Sequence, residues 1–398
     1  MIPDIDSQIG IDVYSTDFVG IGGKIRDSPE DFQVFEIISE KSQKEIGDND
    51  GYAVYKLRKK KIDTNHALSD IFRKKGIRLK SLGLKDSYAI TEQYVCSGNK
   101  GHSVEDYSTE KYSLTKIGYV NKPLSKKDMI SNHFKIKISD CSDGLTNFTE
   151  YEKILNFYGY QRFGSKRAVT HLIGKAILQR NFQKAVDLIL SFTSSYDSKE
   201  NTEIREKLKD KENYSKFYEQ VPKQMDTERI VLKEMIDSDD CSKAIRVIPL
   251  SLRRFYIQAY QSFIFNKSLS LAFSDGEDLF ETQIGDVCFD DHGIIGKYVK
   301  GMDQNLALPF VGYSYYKKTR FDYQISQILT QEEITPKDFY IKEMQEVSSE
   351  GGFRQASIHV TDYSSHDDIV EFSLSRGSFA TILLREIMKP QDPILAGF

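Results

Sequence analysis

Residues 81–93 have the sequence Ser81-Leu-Gly83-Leu-Lys-Asp86-Ser-Tyr-Ala-Ile-Thr-Glu-Gln93. A β-rich pattern begins at Ile90 and continues to Cys96, which predicts a strand whose entry loop carries Asp86. Gly83 is expected to allow a backbone geometry that a Cβ would resist, so that the loop can aim the carboxylate into a cleft. A loop aspartate more often caps its own backbone, and from this segment alone that role is the favoured one.

The segments around this loop show strand and helix patterns in turn. Residues 64–75 have helical spacing, with Thr64 as the candidate N-cap and basic residues at the C-terminal end. Alternating apolar residues predict strands at 32–38, 134–138, 356–360 and 370–374. The last two should pair as an antiparallel hairpin through a polar connection at 364–368.

The middle of the chain differs from its two ends. Residues 152–192 and 245–272 have helical periodicity, and the intervening residues 193–240 are crowded with Lys, Glu, Asp and Ser. A chain of 398 residues is too long for a single core, since such cores stop growing at roughly 250 to 300 residues. We therefore expect an α+β fold with a mixed or antiparallel sheet. Its discontinuous domain, residues 1–155 and 350–398, is interrupted by a mostly α-helical insertion domain, residues 156–349.

Composition argues against several classes of protein. No apolar run approaches the roughly 20 residues of a membrane span, and Met1–Gln8 has no basic leader or apolar signal segment. We expect a cytoplasmic protein with no membrane role, and no obligate protein partner is implied. The chain has no phosphate-binding loop, and its cysteines and histidines are dispersed, so neither a metal nor a cofactor is expected. The four cysteines are Cys96, Cys141, Cys241 and Cys288.

Charge is unevenly distributed along the chain. The net charge is -4, which argues against a generic nucleic-acid binder. Between Gly51 and Lys85, however, eleven Lys or Arg stand against two Asp, a local excess of nine positive charges. Such a cluster on an acidic protein is typical of a localised phosphate-binding surface, and a solvated helix face explains it equally well.

Five sequence blocks, taken in order, resemble the TruD family of pseudouridine synthases. The first two are the segment around Arg26 and Phe32 and the segment from Gly83 to Gln93. Three further blocks follow, at 132–136, 156–164 and 372–386. The chain departs from the family pattern at Leu374-Ser-Arg-Gly377, where many members have Leu-Pro-x-Gly, and at Ser139, where an Arg is common.

The resemblance implies a discontinuous catalytic domain interrupted by the family's own insertion domain. It also implies a tRNA pseudouridine synthase that isomerises uridine 13 of the D-arm with Asp86, without metal or cofactor. Asp86 must be ionised, and a neighbouring cation favours the carboxylate. Arg26 matches the family's basic position and is the first candidate for that cation, with Lys85 second. A phosphate contact or a solvated side chain explains Lys85 as well as ion pairing does.

The other candidate site residues are aromatic or amide side chains in the same blocks. The uridine must leave its stack and lie against an apolar face, for which Phe134 and Phe32 are the candidates. Both side chains also fit core packing. For Phe134 a site role is favoured over core packing, and for Phe32 the two roles are equally favoured. Asn132 and Gln93 could hydrogen-bond the uracil edge or the catalytic loop, or be structural amides. Two other functions remain open: a non-catalytic RNA-binding protein with the same fold, and a glycoside hydrolase with two carboxylates.

Overall fold

The structure is a computed structural model that describes residues 1–48, 50–291, 293–316 and 319–398. Its strands are β1 Gly22–Lys24, β2 Phe32–Ile38, β3 Tyr52–Lys60, β4 Leu79–Ser81, β5 Ile90–Ser97, β6 Tyr107–Ser108, β7 Tyr112–Val120, β8 Met129–Lys137, β9 Ser139–Cys141, β10 Lys153–Leu155, β11 Val287–Phe289, β12 Ile295–Lys297, β13 Asn305–Phe310, β14 Gly352–Gln355, β15 Ser357–His366 and β16 Ile369–Ser375. Its α-helices are α1 Asp4–Gln8, α2 Glu40–Lys44, α3 Thr64–Lys75, α4 Thr170–Leu178, α5 Phe182–Ser191, α6 Lys199–Lys207, α7 Tyr214–Phe217, α8 Asp226–Ser238, α9 Cys241–Arg246, α10 Leu250–Ser274, α11 Asp322–Gln331 and α12 Ala380–Met388.

The largest sheet in the described part of the chain has ten strands, in the order β10-β15-β16-β8-β2-β5-β3-β7-β6, with β4 also paired to β5. The pairing of β2 with β5 is parallel, and the other pairings in this sheet are antiparallel. Helices accompany this sheet, so the predicted α+β class with a mixed sheet is confirmed. A smaller sheet has the order β12-β11-β13-β14.

Four neighbouring strands of the large sheet, β16-β8-β2-β5, bring four of the five sequence blocks together. Their register places Phe134 between Val34 on one side and Phe372 on the other. β4 pairs with the C-terminal end of β5, with Leu79 opposite Ser97. The loop between β4 and β5 must therefore run along the sheet to reach the N-terminal end of β5. Residues 82–89 therefore run back to the start of β5, and Asp86 lies in this loop as predicted.

The predicted helix at 64–75 is confirmed as α3, but its N-cap was assigned to the wrong residue. The Asp63 carboxylate accepts the capping hydrogen bond from the His66 amide at 3.1 Å. Aspartate is a strong N-cap, and Thr64 is needed elsewhere: its hydroxyl donates to the buried Gln93 amide. The helix ends at Gly76, whose φ of 70° is the left-handed conformation that glycine adopts without strain.

The predicted hairpin is confirmed as β15 and β16, with a shorter connection than expected. β15 continues to His366, because ladder hydrogen bonds join main-chain atoms and do not require apolar side chains. The helical prediction for 152–192 is wrong at its start. Residues 153–155 form β10, which pairs with β15, and 3₁₀ turns at Tyr160–Phe163 and Ser165–Arg167 precede α4.

Helices α4 and α11 of the central region pack against α10, which has 25 residues and is buried over most of its length. Helix α4 crosses it closely at Gly174, where a Cβ would lie 2.1 Å from the Tyr256 carbonyl oxygen. No helix formed by the described residues is long and apolar enough to span a bilayer.

A buried charge cluster ties both ends of the chain together. The Arg385 guanidinium pairs with Asp6 at 2.5 Å and with Glu386 at 3.1 Å, and all three side chains are fully buried. Asp6 also accepts a 2.7 Å hydrogen bond from the Tyr160 hydroxyl. Arg385 and Glu386 therefore form a buried structural pair. The cluster fixes the turn at Tyr160–Phe163 against α12 and α1.

Candidate active site

A cavity of about 350 Å³ opens over strands β2 and β8, beside the loop that precedes β5. Segments far apart in the chain form its walls. They are Arg26, Phe32, Val34, 82–86, Lys126, Met129, Asn132, Phe134, Gln161 and 376–381. Six of the seven predicted site residues line this cavity, which is of suitable size for a nucleoside. They are Asp86, Arg26, Phe32, Lys85, Asn132 and Phe134, and Gln93 is the exception.

Asp86 and Arg26 form the central ion pair of this cavity. The Arg26 Nη2 donates to Asp86 Oδ2 at 2.8 Å, and the arginine side chain is 11% exposed against 31% for the aspartate. Arg26 is held in place by the Gly397 carbonyl at 3.0 Å and by the Phe32 ring, whose centroid lies 4.1 Å from the guanidinium carbon. Burial lowers the pKa of Arg26 from its usual value, and the Asp86 carboxylate opposes that shift. The predicted pairing of Asp86 with Arg26 agrees with this geometry.

Lys59 holds the main chain of the Asp86 loop from below. Its ammonium donates to the Asp86 carbonyl at 2.7 Å and to the Lys85 carbonyl at 3.3 Å. The residue is 1% exposed, and burial lowers the pKa of Lys59 from 10.5 to about 8, against the opposing effect of Asp86. Lys59 was part of the basic run in the sequence, but nothing in that run distinguished it from its exposed neighbours.

Gln93 and Thr64 fix the first half of the same loop. The Gln93 amide donates to the Gly83 carbonyl at 3.0 Å, and the Thr64 hydroxyl accepts from the Lys85 amide at 3.2 Å. Gln93 is fully buried and does not line the cavity, so of its candidate roles the structure supports holding the loop rather than contacting a base. Gly83 is not strained: a Cβ there would meet nothing closer than 3.7 Å, and the expectation of a glycine-only geometry is wrong.

Lys85 does not pair with Asp86, and it is neither solvated nor free for a phosphate. Its ammonium lies 2.9 Å from Glu36 Oε1 and donates to Asn132 Oδ1 at 2.6 Å, with both charged side chains buried. The strand register explains this, since Glu36 on β2 stands opposite Asn132 on β8. Because an ammonium only donates, it fixes the Asn132 amide with its oxygen toward Lys85.

The apolar wall of the cavity is aromatic. The Phe134 ring stacks on Phe372 with centroids 5.3 Å apart and meets the edge of Phe32 at 6.4 Å. Phe134 and Phe32 are 6% and 1% exposed, so each serves the core and borders the cavity at once. The two alternatives stated for these residues do not exclude each other.

Gln161 is a site residue that the sequence did not reveal. Its side-chain amide donates to Asp86 Oδ1 at 3.0 Å, so the carboxylate has a donor on each oxygen. The signal was its position in the fourth block, which was interpreted as the start of the insertion domain. Its neighbour Arg162 lies over the rings of Tyr158 and Phe255, 5.2 Å from each centroid.

Comparisons with known proteins identify the family to which these five blocks belong. Residues 8–387 match the family model described as tRNA pseudouridine synthase D (TruD). The chain belongs to the TruD family. The prediction of a TruD-type enzyme, an isomerase of the tRNA pseudouridine synthase class, is therefore confirmed.

TruD relatives from archaea are similar over their full length. Proteins named probable tRNA pseudouridine synthase D from Methanosarcina mazei and Archaeoglobus fulgidus are both 30% identical to this chain. The match covers 98% of this chain and 98% of the first relative, and 97% of this chain and 100% of the second. A crystal structure of a TruD protein from Methanosarcina mazei superposes with a TM-score of 0.81 at 28% identity and covers 99% of both chains.

The basic run of this TruD chain carries less free positive charge than its sequence suggests. Lys59 on β3 is buried beneath the Asp86 loop, the Lys85 side chain is buried within that loop, and Lys56 pairs with Glu92 at 2.8 Å. Arg73 and Lys74 both contact Asp70. Sequence clustering overstated the free positive charge, because Glu36 and Glu92, which lie outside the run, neutralise two of its lysines. Within the described residues, no group of three or more His, Cys, Asp and Glu could hold a metal ion.

Proposed function

We propose that this TruD-family enzyme isomerises uridine 13 in the D-arm of tRNA to pseudouridine, with Asp86 as the catalytic carboxylate. The observation that carries the proposal is the Asp86 carboxylate itself. It lies in a nucleoside-sized cavity with Arg26 on one oxygen and Gln161 on the other. A single ionised acid, oriented by two donors and facing an aromatic wall, suits a reaction at one ribose carbon.

The reaction conserves every atom of the uridine. The bond between N1 of uracil and C1′ of ribose breaks, the base rotates, and C5 joins C1′. The proton lost from C5 is balanced by the proton gained at N1. Asp86 acts on the ribose, either by attacking C1′ or by removing the proton at the 2′ position. In both roles it must be ionised, and the buried Arg26 partner favours that form.

The remaining site residues receive and orient the uracil ring in this proposal. Phe134 and Phe32 supply the apolar face for the base once it leaves its stack. With its oxygen taken by Lys85, the Asn132 amide offers only its NH₂ group, which suits a carbonyl oxygen of uracil. Lys85 acts on the substrate only through Asn132, and Gln93 and Lys59 hold the loop.

We further propose that the enzyme works in the cytoplasm and divides into the domains expected from the sequence. The catalytic domain comprises residues 1–155 and 350–398, and residues 156–349 form the insertion domain. The ten-stranded sheet draws its strands from the first two ranges, which supports this division. The helices α4 to α11 and most of the small sheet fall within the third range.

Asp86→Asn tests the catalytic assignment. The substitution keeps the shape of the side chain and removes its charge. We expect pseudouridine formation at position 13 of an unmodified tRNA transcript to fall by about 10² to 10⁴, the range for removal of a catalytic acid or base. The dissociation constant for tRNA should stay within about twofold, because the substitution keeps the shape of the side chain and the Arg26 charge that it leaves uncompensated is only 11% exposed.

The matched control is Asp140→Asn, at an exposed aspartate paired with Lys24. It should retain full activity. Wild-type activity in Asp86→Asn would refute the catalytic role. A wild-type enzyme that binds tRNA but forms no pseudouridine in it would favour a non-catalytic RNA-binding protein. Activity at a uridine other than 13 would refute the site assignment alone.

A further inference from the structure

Four cations line the cavity, and they fall into two classes. Arg26 and Lys85 lie inside and are neutralised by Asp86 and Glu36 at 2.8 and 2.9 Å. Lys126 and Arg376 lie at the mouth and are exposed. Neither of these two has a carboxylate partner within 4.0 Å among the residues the structure describes. The mouth of the cavity therefore carries two uncompensated positive charges.

The two outer cations are held next to each other. The Arg376 amide donates to the Ile130 carbonyl at 3.1 Å, and its guanidinium donates to the Lys126 carbonyl. The following residue, Gly377, has a φ of 89°, and its carbonyl accepts a 3.0 Å hydrogen bond from the half-buried Arg354. The loop after β16 and the loop before β8 are thus joined to each other and to the core.

Most of the Arg376 donors stay available in this arrangement. A guanidinium has five N–H groups in a planar fork that matches phosphate oxygens. In the described structure Arg376 uses its side chain for the one bond to Lys126. Low-dielectric walls beneath, formed by Phe134 and Val34, strengthen the field of both cations at the opening.

We propose that Lys126 and Arg376 form a phosphate-binding site for the RNA backbone at the target nucleotide. The inference rests on the proposed function, since it requires the target base to occupy the cavity below. A nucleoside inserted base-first leaves its phosphodiester at the opening, where these two cations lie. The site reads no sequence. It holds the backbone while the base is out of the stack.

The test uses Lys126→Gln, Arg376→Gln and the double variant in the full-length enzyme. The RNA is a D-arm minihelix, and binding and pseudouridine formation are both measured from 50 to 200 mM KCl. Each lost phosphate contact should reduce the slope of log affinity against log salt by about 1. The ratio of the wild-type affinity to the double-variant affinity should then fall about 16-fold between 50 and 200 mM KCl.

Two controls separate charge from structure. Lys127→Gln removes an equally exposed charge from the same loop outside the cavity lining, and it should leave the slope unchanged. Lys126→Gln keeps the main-chain carbonyl that Arg376 uses, so it removes charge without removing that bond. Arg376→Lys should restore most of the slope.

A neutral methylphosphonate linkage at the target uridine completes the cycle. It should weaken RNA binding by wild type about as much as the two substitutions do. It should not weaken RNA binding by the double variant any further. Additive losses, or a double variant with the wild-type slope, would overturn the proposal. The phosphate site is tested by RNA binding of the variants as well as by their turnover. The proposed function is tested by pseudouridine formation in wild type alone, so the two proposals can fail independently.

Discussion

Replacing Lys59 with Met should change how the stability of the protein depends on pH. Lys59 is 1% exposed, and its pKa is lowered by burial from 10.5 to about 8. Below pH 8 both the folded and the unfolded chain hold this proton. Between pH 8 and 10.5 only the unfolded chain holds it, so the free energy of unfolding of wild type should rise relative to Lys59→Met.

The size of the effect follows from the pKa values. A fall from 10.5 to about 8 corresponds to about 3 kcal/mol over the whole interval. Between pH 7.5 and 9.5 the difference between wild type and Lys59→Met should grow by about 2 kcal/mol. Urea unfolding followed by circular dichroism at both pH values measures this change. The control is Lys80→Met, at an exposed residue on β4. Its free energy of unfolding should depend on pH in the same way as that of wild type.

The same substitution should slow catalysis. Without the ammonium, the carbonyls of Lys85 and Asp86 lose a donor, and the loop that carries the carboxylate loses an anchor. We expect kcat to fall by about tenfold with little change in KM, from the cost of an unsatisfied buried carbonyl. If wild type and Lys59→Met showed parallel pH dependence of stability, the buried ammonium would not be titrating as described.

Three other substitutions test the polar contacts around the site and in the Arg385 cluster. Gln161→Ala removes one of the two donors on Asp86 and should lower kcat about fivefold with unchanged tRNA affinity, whereas Gln161→Glu should lower it further by charge repulsion. Single-turnover assays and filter binding measure this, and a change confined to affinity would contradict it. Arg385→Met leaves Asp6 and Glu386 as unpaired buried charges and should cost about 3 to 5 kcal/mol of unfolding free energy. A loss below about 1 kcal/mol in urea unfolding would show that these carboxylates are protonated or solvated instead.

Local features of the fold were predictable from the sequence. The bounds of α3, the β15–β16 hairpin and the position of Asp86 before β5 all came from patterns that extend over about ten residues. The family was predictable as well, because its five blocks are short, local and ordered. Such features are set by neighbouring residues, whose side-chain spacing records which face is buried.

The partners of charged and polar side chains were decided by the tertiary structure. Lys85 was assigned to Asp86 or to solvent, but strand register places Glu36 and Asn132 beside it. Gln161 lies 75 residues from Asp86 in the chain and contacts it from a turn that Tyr160 ties to the Arg385 cluster.

The Asp86 loop shows both contributions together. The sequence alone determined that Asp86 precedes a strand and that its blocks match one enzyme family. Folding decided which of the nearby cations is buried beneath the loop, which pairs with the carboxylate, and which remain uncompensated at the cavity mouth. The physical reason is that periodicity encodes burial, which is a property of one residue. An ion pair or hydrogen bond depends on the distance between two residues, and long-range packing sets that distance.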